Sequence, residues 1–215
     1  RALSKRAGKT VRVTELSADI ASYYERQRDT RIRPTPPYMT AQFQQYAGLR
    51  KFRVKARSVW RNITVHKNLG ALMKVVTYLP RRCMRNMRTE YARFASAPNF
   101  GERFVYVPLN FQPERTSSPQ GGVFVDQLLM IETLAAALPP GWFLYVKEHP
   151  AQWLHRGPDF FSYRHRGYYE EIARLPHVQL IPVATDTYTL IAHAIAVATV
   201  TGTAGFEALF RGKPV

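Results

Sequence analysis

The sequence predicts an α/β fold: an incomplete, doubly wound parallel sheet of Rossmann-like type, preceded by a basic, mainly helical segment. Two observations carry this. From position 101 onward, short apolar runs rich in β-branched and aromatic residues alternate with helical patterns. Those runs are apolar on both faces, as strands covered by helices on both sides must be. A third observation separates the two halves. Residues 1–100 hold 22 lysines and arginines against 5 acids, a net +17, whereas residues 101–215 hold 9 against 10. The whole excess charge of +16 therefore belongs to the first segment.

In residues 1–100 the spacing predicts polar, basic helices over 13–26, 39–49, 54–63, 69–78 and 81–94. The stretch RIRPTPPYM, 31–39, has three prolines and must be a turn or extended linker. The texture changes near Pro98, and residues 101–215 are read as a separate ligand-binding domain. There RFVYVPL (103–109) is the first strand, NFQPERTSSPQGG (110–122) a polar loop, and 123–138 a helix with Phe124, Leu128, Ile131, Ala135 and Leu138 on one face. Pro139-Pro140-Gly141 stops that helix, and 142–146 is the second strand. A helix over 168–175, a strand over 177–181 and a helix over 186–192 follow, with Asp186 as N-cap. The fourth strand is 195–200, TGTAG a tight turn, and 206–211 the last helix. Lys213-Pro214-Val215 reads as the start of a fifth strand, so the sheet is expected to be truncated.

Composition narrows the function classes. The hydrophobic share of 46% allows a real core, and no apolar run is long enough to span a bilayer. The best candidate, 191–210, is broken by His193, several threonines and Glu207. Cys83 is the single cysteine, which rules out an internal disulfide and fits a reducing compartment. No signal peptide is visible at the start, and the expected location is cytoplasmic. The basic segment suits an anionic membrane surface better than nucleic acid, because its aromatics follow no RNA-binding pattern. A solvated helical face is the plain reading of the same charges.

Ligands of open parallel sheets bind outside the carboxyl ends of the strands, and that rule selects four loops. The first strand exits into Gln112-Pro113-Glu114-Arg115 and the second into Lys147-Glu148-His149-Pro150. The third exits into Val183-Ala184-Thr185-Asp186 and the fourth into Thr201-Gly202-Thr203-Ala204-Gly205. In the last loop two glycines let backbone approach a ligand, and the following helix offers unpaired N–H groups to an anion. Thr201 and Thr203 add hydroxyls, and Glu207, read as lying in the first helical turn, suits two ribose hydroxyls. The plain alternative is a strand-to-helix turn with Glu207 placed for the helix dipole. His149 is a donor to a phosphate or leaving nucleotide, with Pro150 fixing its loop and Glu148 orienting the imidazole; otherwise it satisfies a loop carbonyl. A snorkelling stem is the plain reading of Lys147, and Gln112, Glu114 and Arg115 suit a base edge, a sugar hydroxyl and a phosphate. Arg164 and Arg166 are further anion candidates. His149, His155 and His165 fit no zinc-ligand spacing, so no metal site is assigned.

With FVYVPLNFQPER, YVKEHP and VTVTGTAGFEALFRGKPV in order, about half the chain resembles the capsule polysaccharide biosynthesis family, the Kdo-transferase-like glycosyltransferases. The resemblance implies the C-terminal, donor-binding half of a two-domain GT-B enzyme, holding a sugar nucleotide, typically CMP-Kdo, without metal or other cofactor. It places Gln112, Pro113, His149, Pro150, Thr201, Gly202, Thr203 and Glu207 around the donor. A glycan or glycolipid would be the acceptor. The general base is expected outside this chain, so the catalytic residues are left unassigned. Two other readings stay open: a teichoic-acid-type transferase of polyol phosphate from a CDP-linked donor, and a non-enzymatic module binding anionic surfaces.

Overall fold

A computed structural model describes residues 16–29, 50–65, 86–113, 117–153 and 164–215, with isolated positions between 41 and 73. The expected linker over 31–39, most of the helices over 39–49 and 69–78, and Glu114, Arg115 and His155 lie outside the described residues. In chain order the elements are α1 (Ala18–Arg28), α2 (Arg50–Thr64), α3 (Met87–Phe94), β1 (Arg103–Pro108), a 3-10 turn (Gly122–Val125), α4 (Gln127–Ala137), β2 (Trp142–Lys147), α5 (Tyr168–Arg174), β3 (Val178–Leu180), α6 (Thr187–His193), β4 (Ala196–Val197) and α7 (Thr203–Phe210).

The described strands form one parallel sheet in the order β3-β2-β1-β4. This is the doubly wound arrangement expected, because the chain steps outward from β1 to β3 and then returns to the other side of β1. Alternation along each strand divides the core into two layers. Val107 and Leu109 of the β1 segment, with Leu144 and Val146 of β2, meet Met87 and Tyr91 of α3, Met130 and Ile131 of α4, and Tyr169 and Ile172 of α5. Phe104 and Tyr106 of β1, with Tyr145 of β2, face Leu190, Ile191 and Ala194 of α6 and Ala208 of α7. Each fully buried aliphatic or aromatic side chain in these layers contributes about 1.5–3 kcal/mol.

The helix α3, although part of the basic segment, is built into the first layer. Its Glu90 carboxylate accepts N–H bonds from Gly167 at 3.0 and 3.1 Å and from Tyr169 at 3.2 Å, satisfying free donors at the start of α5. Gly167 itself sits at φ 91°, where a Cβ would be strained. Residues 213–215 run beside β4, with Val197 N–H donating to Pro214 O at 2.9 Å, in keeping with the beginning of a further strand.

In the basic segment α1 runs on to Arg28 and α2 begins at Arg50, ahead of the expected Val54, and three further boundaries differ in the sheet domain. The helix expected over 123–138 is split: Asp126 caps α4 by accepting from Leu128 and Leu129 N–H, and Phe124, ahead of the cap, is exposed rather than on the buried face. β4 is short, although Ile195 and Ala198 N–H extend its hydrogen bonding to β1. The last helix begins at Thr203, not Phe206, so TGTAG is not a turn throughout. Gly205 lies inside α7 because a Cβ there would stand 2.7 Å from Thr199 Cγ2 and 3.2 Å from Val215 Cγ1. Close packing, not chain reversal, is what that glycine provides.

Candidate functional site

The strand order places the topological switch between β1 and β4, so the crevice lies between the loop after β1 and the TGTAG segment. Asn110 joins the two. Its backbone is held by Gln127, with Asn110 N–H donating to Gln127 Oε1 at 2.8 Å, and its carbonyl accepts from Arg164 at 3.0 Å. Its side chain reaches across the crevice, donating to Thr201 Oγ1 at 3.3 Å and accepting from Thr199 Oγ1 at 3.5 Å. Thr199 Oγ1 in turn accepts Gly202 N–H at 3.2 Å. Asn110 was missed by the sequence reading, since a single asparagine after a strand is an ordinary exit residue.

At the start of α7 Gly202 supplies no capping side chain, and Gly205 N–H donates to Gly202 O at 3.2 Å. A Cβ on Gly202 would stand 2.8 Å from Thr199 Oγ1, so the small residue keeps the turn closed against β4. Glu207 lies one turn deeper in the helix than expected, because α7 starts earlier. It is half-buried; its backbone carbonyl accepts from Arg211 Nη1 at 3.1 Å, whereas its carboxylate takes no hydrogen bond from any described residue. Burial pushes its pKa up, with Arg211 partly offsetting the shift. Thr203 is exposed at the helix start.

The KEHP segment distributes its side chains to both layers. Lys147 turns toward α6, where Nζ donates to Thr185 O at 2.5 Å and Thr187 Oγ1 at 2.8 Å. Burial pushes its pKa down to about 8, against a smaller opposing effect of Asp186. It does not snorkel but ties the β2 exit to the β3–α6 loop. Asp186 caps α6 as expected, accepting from Thr189 N–H at 2.9 Å.

Glu148 turns to the other layer and is fully buried. Its carboxylate accepts from Arg164 Nε at 2.8 Å, Tyr169 Oη at 2.7 Å and His149 N–H at 2.6 Å. The Glu148 N–H donates to Tyr91 Oη at 3.1 Å, and that hydroxyl donates to Ile181 O. Arg164 is therefore no anion site: it is buried, bonded to Glu148, and stacked 4.9 Å from the Tyr168 ring centre. Burial works against its charge, but the Glu148 carboxylate outweighs it and the pKa is raised. Glu148 holds the backbone of His149, not its ring.

The imidazole is instead fixed by its own turn. Nδ1 accepts Ala151 N–H at 3.2 Å, and His149 O accepts Gln152 N–H at 2.9 Å, closing the turn over Pro150. An Nδ1 that accepts leaves the ring proton on Nε2. Burial lowers the His149 pKa, Glu148 partly opposing it, so the ring is a neutral Nε2–H donor. Phe111, from the loop after β1, sets its ring edge-on to His149 at 5.7 Å.

Gln112 differs from its expected role. Its backbone exchanges two hydrogen bonds with the Gln152 side chain, at 2.9 and 3.0 Å, and its Nε2 donates to Ser117 Oγ at 2.6 Å. The side chain is buried with Oε1 unpartnered, so the amide shapes the loop rather than presenting an edge at the surface. Pro113 follows through a cis peptide bond and is half-buried. The structure thus links Thr201 to the loop after β1 through Asn110, and sets His149 beside Phe111 of that same loop; Thr203 and Glu207 follow in α7. Among the described residues no group of three or more His, Cys, Asp or Glu side chains is arranged to hold a metal.

Fold and rim together define a doubly wound α/β domain whose topological switch lies between β1 and β4. The family model for capsule polysaccharide biosynthesis proteins matches residues 64–215, more than two thirds of the chain, and the chain belongs to that family. Its role is therefore in capsule polysaccharide biosynthesis. No curated protein and no solved structure matches it. Among the described residues, no helix is long and apolar enough to cross a membrane.

Proposed function

We propose that this chain is the donor-binding part of a GT-B-type glycosyltransferase, holding a sugar nucleotide at the β1/β4 crevice. The observation that carries the reading is the Asn110 bridge between the two switch-point loops, which ties the loop after β1 to the segment entering α7, the helix that carries Glu207. In this reading the α7 N–H groups, Thr201 and Thr203 take the phosphate, and Glu207 accepts from two ribose hydroxyls. His149 Nε2–H donates to the phosphate oxygen that gains charge as the glycosidic bond to the anomeric carbon breaks. The acceptor hydroxyl forms the new bond, and no residue of this chain is assigned to take its proton. The resemblance favours a CMP-linked donor, CMP-Kdo in particular, a glycan or glycolipid acceptor, and work at an anionic membrane surface.

Calorimetry on the full chain with CMP, CDP and UDP tests the reading. CMP is expected to bind best, and Glu207→Ala to weaken it ten- to a hundredfold, the worth of hydrogen bonds to a charged group at about 1.5–3 kcal/mol. Preference for CDP points to the polyol-phosphate transferase, and indifference to all three nucleotides sinks the donor site.

A further inference from the structure

Among the described residues, α2 shares no extended contact with the sheet. Six of its fifteen residues are lysine or arginine and none is acidic. Its side chains are segregated at helical spacing. Phe52, Ala56 and Trp60 make one row, with Val59 and Ile63 beside them, and Arg53, Arg57 and Arg61 make the adjoining row. Trp60 is 71% exposed and Phe52 49%, while Val59 and Ile63 are half-buried. The three arginines of the adjoining row are exposed.

A solvated basic helix has no need of an exposed tryptophan, and a nucleic-acid-binding helix needs cations but no segregated apolar row. An anionic bilayer surface fits both features: apolar side chains enter the acyl boundary while the flanking cations meet the headgroups. We infer that α2 lies in the plane of an anionic membrane, with Trp60 and Phe52 inserted and Arg53, Arg57 and Arg61 at headgroup level. This deepens, and rests on, the membrane part of the proposed function; the nucleotide site is independent of it.

The test is co-sedimentation of the full chain with phosphatidylcholine vesicles, with and without phosphatidylglycerol, read beside Trp60→Ser, Phe52→Ser and Arg57→Ala/Arg61→Ala variants. Wild type is expected on the anionic vesicles only. Each lost arginine is expected to weaken binding about fivefold, from the contribution of one basic residue at such a surface. Trp60→Ser is expected to weaken it at least as much although it leaves the charge unchanged, and circular dichroism confirms that the variants stay folded. Anionic-vesicle binding that Trp60→Ser and Phe52→Ser leave untouched overturns insertion alone and spares the membrane reading. Absence of binding to either vesicle overturns both. Tight RNA binding indifferent to Trp60, or dimerisation through this face, also overturns the inference.

Discussion

Breaking the Glu148–Arg164 pair gives the sharpest test of how the rim is held. Both side chains are buried, the Nε–Oε2 distance is 2.8 Å, and the carboxylate takes two further donors from Tyr169 and His149. In Arg164→Met, two neutral donors remain but the charge of Glu148 is uncompensated. In Glu148→Gln, the guanidinium loses its carboxylate. Either single change leaves a buried charge unpaired, and each is expected to cost about 3–5 kcal/mol. The double variant buries no charge and keeps an acceptor for His149 N–H, so it is expected to lose less than either single change. Urea unfolding followed by tryptophan fluorescence suits the measurement, because Trp153 lies 5.6 Å from the Tyr91 ring and 6.0 Å from the Tyr169 ring, beside the pair. A double variant as unstable as the sum of the two singles would falsify the assignment of these costs to unpaired charge.

Further expectations follow from other contacts. Lys147 has its pKa lowered from 10.5 to about 8, so the unfolded chain binds more protons between those values and stability rises with pH there, by on the order of 3 kcal/mol; Lys147→Met should flatten that slope in unfolding curves. His149, lowered from 6.5 by burial, should make stability fall as the pH drops below that value, and His149→Asn should remove this part of the acid sensitivity. Gly205→Ala places a methyl 2.7 Å from Thr199 Cγ2 and should cost about 1–3 kcal/mol; adding Thr199→Ser, which deletes that methyl, should recover part of the loss. Asp186→Ala removes the bond to Thr189 N–H and should lower the melting temperature by the equivalent of about 1 kcal/mol.

The sheet was legible because its strands are short apolar runs between polar loops, and the carboxyl-end rule then gathered the four exit loops at one edge. What could not be read was which way each rim residue turns. Gln112 and Arg164 carry the right chemistry for a ligand, yet pairing with Ser117 and Glu148 draws both inward, and those partners are fixed by tertiary packing rather than spacing. Asn110 was invisible for the converse reason: its importance comes from Thr201, far away in sequence but adjacent across the switch. The start of α7 was misplaced because glycine was read as a breaker, while Gly205 answers to the crowding of Thr199.

The opposite facings of Lys147 and Glu148 have a consequence for how the chain finds its pairing. Side chains on a strand change sides with every residue, so a shift of β2 by one position would exchange the two. The ammonium would then meet Arg164, and the carboxylate would meet Asp186. Both errors bring like charges together in buried surroundings, so the order of this cation and this anion acts as a parity check on the central strand pairing. Reversing the two residues preserves composition and net charge but reads as the wrong parity, and it should leave β2 without a register that both layers accept.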